Sequence, residues 1–242
     1  MEYLNLHSPI FFRHGWRKYL LATIALSLGM LSASSKAAEG SVAEALTSGK
    51  VYGDIRLRYE SVDQDNPLDD ATALTVRTRL GYSTGSYEGF SALVEFEDSR
   101  IVAGVDDFSV PPIGFNLGSS IIADPETTEI DQGYIQYKNS LVTARVGAQV
   151  IALDNQRFIG HVGWRQDRVT FDAVSATFTP TDKLKITAAH LFERNRIFGE
   201  VVDQESKDNI VNITYPTKIG KLNAYAYLLE DDFGTNISRD TY

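Results

Sequence analysis

A chain of 242 residues with 23 basic and 32 acidic side chains, a net charge of −9 and no cysteine has room for one β domain or one barrel. The acidic balance argues against nucleic acid as a partner. Without cysteine an exported chain has no disulfides to hold it, so a hydrogen-bonded sheet must supply the stability.

Residues 1–37 read as a secretory signal peptide. Arg13, Arg17 and Lys18 form a basic start, Tyr19–Leu31 is uncharged and apolar, and Ser35 and Ala37 place the cut before Ala38. The apolar run is shorter than the roughly 20 residues of a spanning helix. Cleavage removes Arg13, Arg17, Lys18 and Lys36 against one acid, Glu2, so the mature chain is more acidic still. Residues 38–49 form a short polar periplasmic lead. No later stretch approaches the roughly 18 apolar residues of a membrane helix.

From Lys50 onward the chain alternates with the period of two that puts successive side chains on opposite faces of a strand. In Lys50–Val62, Val51, Gly53, Ile55, Leu57 and Tyr59 share one face, and Lys50, Tyr52, Asp54, Arg56, Arg58 and Glu60 the other. In Leu74–Tyr82, Leu74, Val76, Thr78, Leu80 and Tyr82 oppose Thr75, Arg77, Arg79 and Gly81. Further segments follow at Phe90–Asp98, Glu129–Lys138, Leu141–Val150, Val169–Thr179, Leu184–Glu193, Asn209–Tyr215 and Leu222–Glu230, nine in all. Val169–Thr179 switches parity midway, which a β-bulge would reconcile.

The connections alternate strictly between long and short. Residues 63–73, 99–128, 151–168 and 194–208 are long; 83–89, 139–140, 180–183 and 216–221 are short. Outer-membrane barrels have this rhythm of long extracellular loops and short periplasmic turns, whereas an immunoglobulin-like sandwich gives no reason for it. Tyr82, Phe90, Tyr137, Phe178 and Tyr215 flank the short turns, as an interfacial aromatic girdle would. The expected fold is therefore all-β, an antiparallel transmembrane β-barrel occupying residues 50–242 with about nine strands present.

Three stretches carry a resemblance. IADPETTEIDQGYIQY at Ile122–Tyr137, LDNQRFIGHVGWRQDRVTFDA at Leu153–Ala173 and TYPTKIGKLNAYAYLLEDD at Thr214–Asp232 are similar to the alginate-export-like family of outer-membrane porins. The resemblance covers essentially all of residues 50–242. It implies a barrel of about 18 strands that passes anionic polysaccharides or small solutes. Nine strands fall short of that number and leave the chain ends on opposite sides, while Ser238–Tyr242 reads as entry into a tenth. The chain thus reads as an N-terminal fragment of a larger barrel, with free strand edges at Lys50–Val62 and Leu222–Glu230.

Arg56, Arg58, Arg77 and Arg79 fall on one face of neighbouring strands, where like charges repel unless balanced. Asp54 and Glu60 share that face, and Glu95 and Glu97 have the parity to meet Arg77 and Arg79. The set reads either as a charged constriction selecting carboxylates or as a structural lattice; Arg145 extends it. In residues 151–168, Asp154, Asn155, Gln156, Arg157, Trp164, Arg165, Gln166 and Arg168 combine forked donors with an indole. That combination suits a sugar acid or equally a loop held by its own polar network. Phe108, Val110, Pro111, Pro112, Ile113 and Phe115 make residues 99–128 a loop that packs somewhere, with the lumen as one place. Acids in the long loops form either a solvated rim or sites for cations bridging lipopolysaccharide.

His161 and His190 belong to no metal-spaced cluster, and no nucleophile elbow or phosphate loop appears. No metal, cofactor or enzymatic activity is expected. The expected function is a passive outer-membrane porin for small anionic or saccharide solutes, with lipid and lipopolysaccharide around it. An outer-membrane rim hydrolase and a secreted soluble β adhesin are the alternatives.

Overall fold

The structure, a computed structural model, describes residues 40–111, 114–116, 118–232 and 238–241. Residues 1–37, read as a signal peptide, lie outside them. The polar lead contains a short helix, α1 (Val42–Thr47). Ser41 caps it: its hydroxyl accepts the Glu44 N–H at 3.1 Å, and the Glu44 carboxylate reaches back to the Gly40 N–H. The serine thereby satisfies one of the orphan donors of the first turn, and the glutamate ties down the residue that precedes the cap. The helix is tied to the short-turn end of the sheet. The Gly85 N–H donates to the Ala45 carbonyl at 2.8 Å, and the Tyr82 hydroxyl donates to the Leu46 carbonyl.

The strands are β1 (Lys50–Val62), β2 (Ala71–Ser83), β3 (Phe90–Asp107), β4 (Ser109–Val110), β5 (Gly114–Phe115), β6 (Thr127–Lys138), β7 (Val142–Gln149), β8 (Thr170–Phe178), β9 (Lys185–Asn195), β10 (Gln204–Thr217), β11 (Gly220–Asp232) and β12 (Ser238–Thr241). Ten form one sheet in the order β1-β2-β3-β6-β7-β8-β9-β10-β11-β12, with every neighbouring pair antiparallel. All nine expected strands are present, and β12 adds a short tenth where the C-terminal residues pointed to one. It pairs with Leu229–Asp232 of β11, so the far end of the strand order is β12 and not β11.

Every pair is a hairpin between sequence neighbours, the up-and-down pattern of a porin wall. The one detour is the small β4–β5 hairpin inside the β3–β6 connection. That connection is shorter than the sequence suggested because β3 runs on to Asp107. A bulge makes the extension possible: Ala103 and Gly104 both take positive φ where the β2–β3 register shifts.

The two faces separate as the alternation requires. Ile55, Leu57 and Tyr59 on β1 are 74%, 65% and 65% exposed. The outward band continues through Leu80, Phe96, Ile135, Val146, Val174, Phe192, Val211 and Leu228, all exposed. So large a contiguous apolar surface is what a lipid-facing sheet presents and what a soluble protein must cover. On the opposite face Thr75, Arg77, Arg79, Glu95 and Glu97 are buried.

The bulge expected in β8 is not there: β8 pairs with β7 without a register shift, and the residue skipped between β8 and β9 is Phe192 of β9. Phe171 and Ala173 share the inward face by plain alternation, and they are apolar because Ile151 and Ile159 cover them. A second bulge sits opposite Glu95 and Phe96, which pair with Gln132 and Ile130 and leave Asp131 as the extra residue, buried on the polar face. Gly147 of β7 lies at φ +120°, where a Cβ would stand 2.2 Å from the Gly133 carbonyl oxygen, so no other residue fits that close strand contact.

Candidate functional site

Two long connections fold back over the polar face. From the β3–β6 connection, Phe108, Val110 and Ile122 settle against the start of β2, where they bury with Ala71 and Ala73. This is the packing that their apolar content called for. It brings Asp124, 1% exposed, into the centre of the polar face.

Residues 150–169, joining β7 to β8, cross the same face between two footings. One footing is apolar: Ile151 and Ile159 pack with Phe171, Ala173, Ala189, Leu191 and Ile210. Beside it Asp154 Oδ2 accepts from Asn212 Nδ2 at 2.7 Å and from the Tyr227 hydroxyl at 3.3 Å. The other footing is polar and lies on β1–β3 and β6. Gln166 is fully buried there, and its side-chain amide donates to the Thr75 hydroxyl at 2.8 Å and the Thr75 carbonyl at 3.1 Å. Its backbone N–H donates to Asp124 Oδ1 at 2.9 Å.

The arginines of the two strands sit on one face as the alternation placed them, and Arg56 lies directly across from Arg77. Their partners divide them. Arg77 pairs with Asp54, and Arg79 pairs with Glu97 and, at 3.4 Å, Asp131. The expected Arg79–Glu97 contact is therefore present. Glu95 is not Arg77's partner, because Ser99 is the residue opposite Arg77; Glu95 instead takes Arg168 from the crossing loop. Arg168 also reaches Asp131 at 2.5 Å.

Arg56 is different. It donates to Gln166 Oε1 at 2.9 Å, to the Gly163 carbonyl at 3.1 Å and to the Arg165 carbonyl. All three acceptors are neutral, so none cancels its charge. Arg145 is held in the same way, by Gln136 Oε1 at 2.8 Å and by the face of Tyr134 at 4.8 Å. Arg58 donates to the Trp164 carbonyl and pairs with Glu60 and, at 3.5 Å, Asp124.

The loop residues singled out in the sequence are divided between the two footings: Trp164, Arg165, Gln166 and Arg168 at the polar one, Asp154, Asn155 and Arg157 at the other. Arg165 turns inward to Glu60 at 2.9 Å and Asp124 at 3.7 Å. Trp164 stays 59% exposed, with the Arg165 and Arg58 guanidinium groups 4.1 and 5.3 Å from its ring. Such cation–π contacts fix the indole without hiding it. Arg157 lies on the other footing, 5.6 Å from the Phe158 ring centre.

Burial pushes the Asp167 carboxyl well above the usual carboxylate range, and the neighbouring Glu129 and Glu97 push the same way. Burial also lowers His161, and the Arg168 charge beside it lowers it further.

Sequence reasoning missed Thr75, Asp131, Tyr225 and Tyr227 as parts of this arrangement. Parity would have turned Tyr225 and Tyr227 inward; Asp131 had no such signal, because the bulge that buries it is invisible in the alternation. Among the described residues no group of three or more His, Cys, Asp or Glu is placed to hold a metal ion, and no helix is long and apolar enough to cross a membrane.

An up-and-down antiparallel sheet with a bare apolar face, and a polar face crossed by loops, has the build of the wall of an outer-membrane β-barrel of the porin class. The alginate export family model matches residues 48–190, and the chain belongs to that family. The crystal structure of Acinetobacter baumannii OccAB1, an outer-membrane porin, superposes with a TM-score of 0.59 at 16% identity. The match covers 81% of this chain and 48% of that one, so the chain spans about half the length of that porin. A comparison with curated proteins gives no significant match.

Proposed function

We infer that the protein contributes the wall and constriction of an outer-membrane pore that gives passive passage to small anionic or saccharide solutes, uronate oligomers among them. The observation that carries this reading is the crossing loop. Residues 150–169 narrow the path along the polar face, and where they land they hold Arg56 by neutral acceptors alone. A positive charge kept close to a constriction and not cancelled there favours anions at short range.

The acidic total charge does not oppose this. Many acids sit in the long loops, where salt screens them beyond about 8 Å. The arginine wall of Arg56, Arg58, Arg77 and Arg79 is thus divided in its work. Arg77 and Arg79 brace the sheet through Asp54, Glu97 and Asp131. Arg56 and Arg145 provide the surplus, while Arg157, Trp164 and Arg165 line the loop.

The exposed apolar face supports a lipid surround over a secreted soluble adhesin. His190 lies across from Asn209, with its ring nitrogen 2.9 Å from the amide oxygen, and so gives no support to a rim hydrolase. The test is a reversal potential in a salt gradient across a planar bilayer. Wild type is expected to prefer anions, and Arg56→Ser/Arg145→Ser to lose most of that preference. Cation preference in the wild type, or an unchanged double variant, removes these arginines as the selective element.

A further inference from the structure

We propose that the recess between the crossing loop and β11 is a binding subsite for a single pyranose ring carrying a carboxylate. It rests on the reading of the polar face as a solute path, and it adds a place where the solute is held. The recess has a volume of about 400 Å³, within the range of small-ligand sites. Its floor is aromatic. Tyr225 and Tyr227, on the inward face of β11, stack with centroids 4.7 Å apart and planes 20° apart. Phe158 from the loop is tilted against both, at 5.9 and 6.2 Å, and closes one side.

Tyr225 is 53% exposed, so its ring presents an open face into the recess. The negative face of an aromatic ring attracts the polarised C–H groups on one side of a pyranose. A simple inorganic anion has nothing to gain from that floor. Recognition of an anion comes from the rim instead, where Lys221 and Arg157 bring two cations against the single acid Asp154.

That acid is already engaged. Its Oδ2 is taken by Asn212 and Tyr227, and Lys221 Nζ stands 4.0 Å from Oδ1, a loose contact for an ammonium group that is half exposed. A ligand carboxylate therefore has a cation to bind, and Asn223, whose Oδ1 already accepts from the Thr214 hydroxyl at 3.2 Å, offers its amide N–H groups to sugar hydroxyls. The recess and the Arg56 footing belong to the two ends of one loop. A solute held here lies under the footing of the loop opposite to the one that holds Arg56.

The experiment is saturation-transfer NMR and calorimetric titration of the purified protein in detergent, with trigalacturonate, neutral maltotriose and acetate as probes. Wild type is expected to bind trigalacturonate saturably, with transfer to the ring protons. Tyr225→Leu, which keeps apolar bulk and removes the ring face, should weaken that binding about tenfold, and Tyr225→Phe should preserve it. Lys221→Gln should weaken trigalacturonate and leave maltotriose unchanged. Asn223→Trp, which fills the recess, provides a second block with β11 intact.

Acetate competing as well as trigalacturonate, or trigalacturonate binding unmoved by both Tyr225→Leu and Asn223→Trp, overturns the subsite. The bilayer measurement on Arg56 and Arg145 is independent of these variants. Loss of the subsite with anion preference intact would sink this inference alone, and the reverse would sink only the selective role of the arginines.

Discussion

The crossing loop stands on two footings of opposite chemistry. On β8–β10 it is held by a dry cluster of Ile151, Ile159, Phe171, Leu191 and Ile210. On β1–β3 and β6 it is held by Gln166, Arg165 and Arg168 threaded among Glu60, Glu95, Asp124 and Asp131. Apolar burial is non-directional: it fixes how deeply the loop sits but not which atoms meet. Hydrogen-bonded charges are directional, and their desolvation is repaid only when the geometry is right. The apolar footing therefore anchors, and the polar footing sets the orientation in which Arg56 keeps its charge.

The difference is sharpest when one charge is removed. Glu97 is almost fully buried and holds Arg79. Glu97→Leu would strand that guanidinium, and breaking a buried pair costs about 3–5 kcal/mol. The unfolding midpoint in urea, measured in detergent, should fall clearly. An unchanged midpoint would mean that Asp131 alone suffices for Arg79. Leu191→Ala attacks the other footing, at a side chain with no exposure. A cavity there costs about 2–5 kcal/mol, yet the reversal potential should stay that of wild type. A change of selectivity in this variant would refute the division of labour.

The outer face gives a third contrast. Leu57→Arg places a charge in lipid and should cost about 2–4 kcal/mol if near the bilayer midplane. Its neighbour Arg56, changed to Ser, should insert normally. Arg56→Ser is not silent, however, since it releases three contacts to the crossing loop. Trp164, the one tryptophan beyond residue 37, should report that release as a red-shifted emission. Equal assembly defects in the two variants would contradict a lipid-facing apolar band.

The smallest expected effect is a pH slope. Asp167 is buried beside Glu129 and Glu97, and its carboxyl titrates well above the usual carboxylate range. An acid whose folded value is raised contributes fully below its unfolded value, and that contribution is lost as pH rises through the folded value. Docking of the polar footing should therefore weaken on the alkaline side, and Asp167→Asn should flatten the dependence. Trp164 emission followed against pH in both proteins checks this; identical curves would exclude Asp167 as the titrating group.

Alternation with period two was enough to place Arg56, Arg58, Arg77 and Arg79 on one face and Ile55, Leu57 and Val76 on the other, because strand geometry leaves a side chain only two directions. The rhythm of long and short connections was enough for the up-and-down sheet, whereas the helix at Val42–Thr47 lies in a stretch read only as a polar lead, although Ser41 is an N-cap residue type. The bulge that buries Asp131 was not legible, since one extra residue in a polar strand leaves no trace in the pattern.

Nor could the sequence say which arginine keeps its charge. Arg56 and Arg77 are the same residue type at matched positions on paired strands. Asp54 lies within reach of Arg77, while the loop from 150 to 169 arrives over Arg56 with an amide and two carbonyls. The loop's approach is fixed by contacts far away in the chain, at Phe171, Leu191 and Ile210. Local pattern decides direction along a strand, but the partner at the end of a long side chain is decided by whatever distant segment the tertiary fold delivers there.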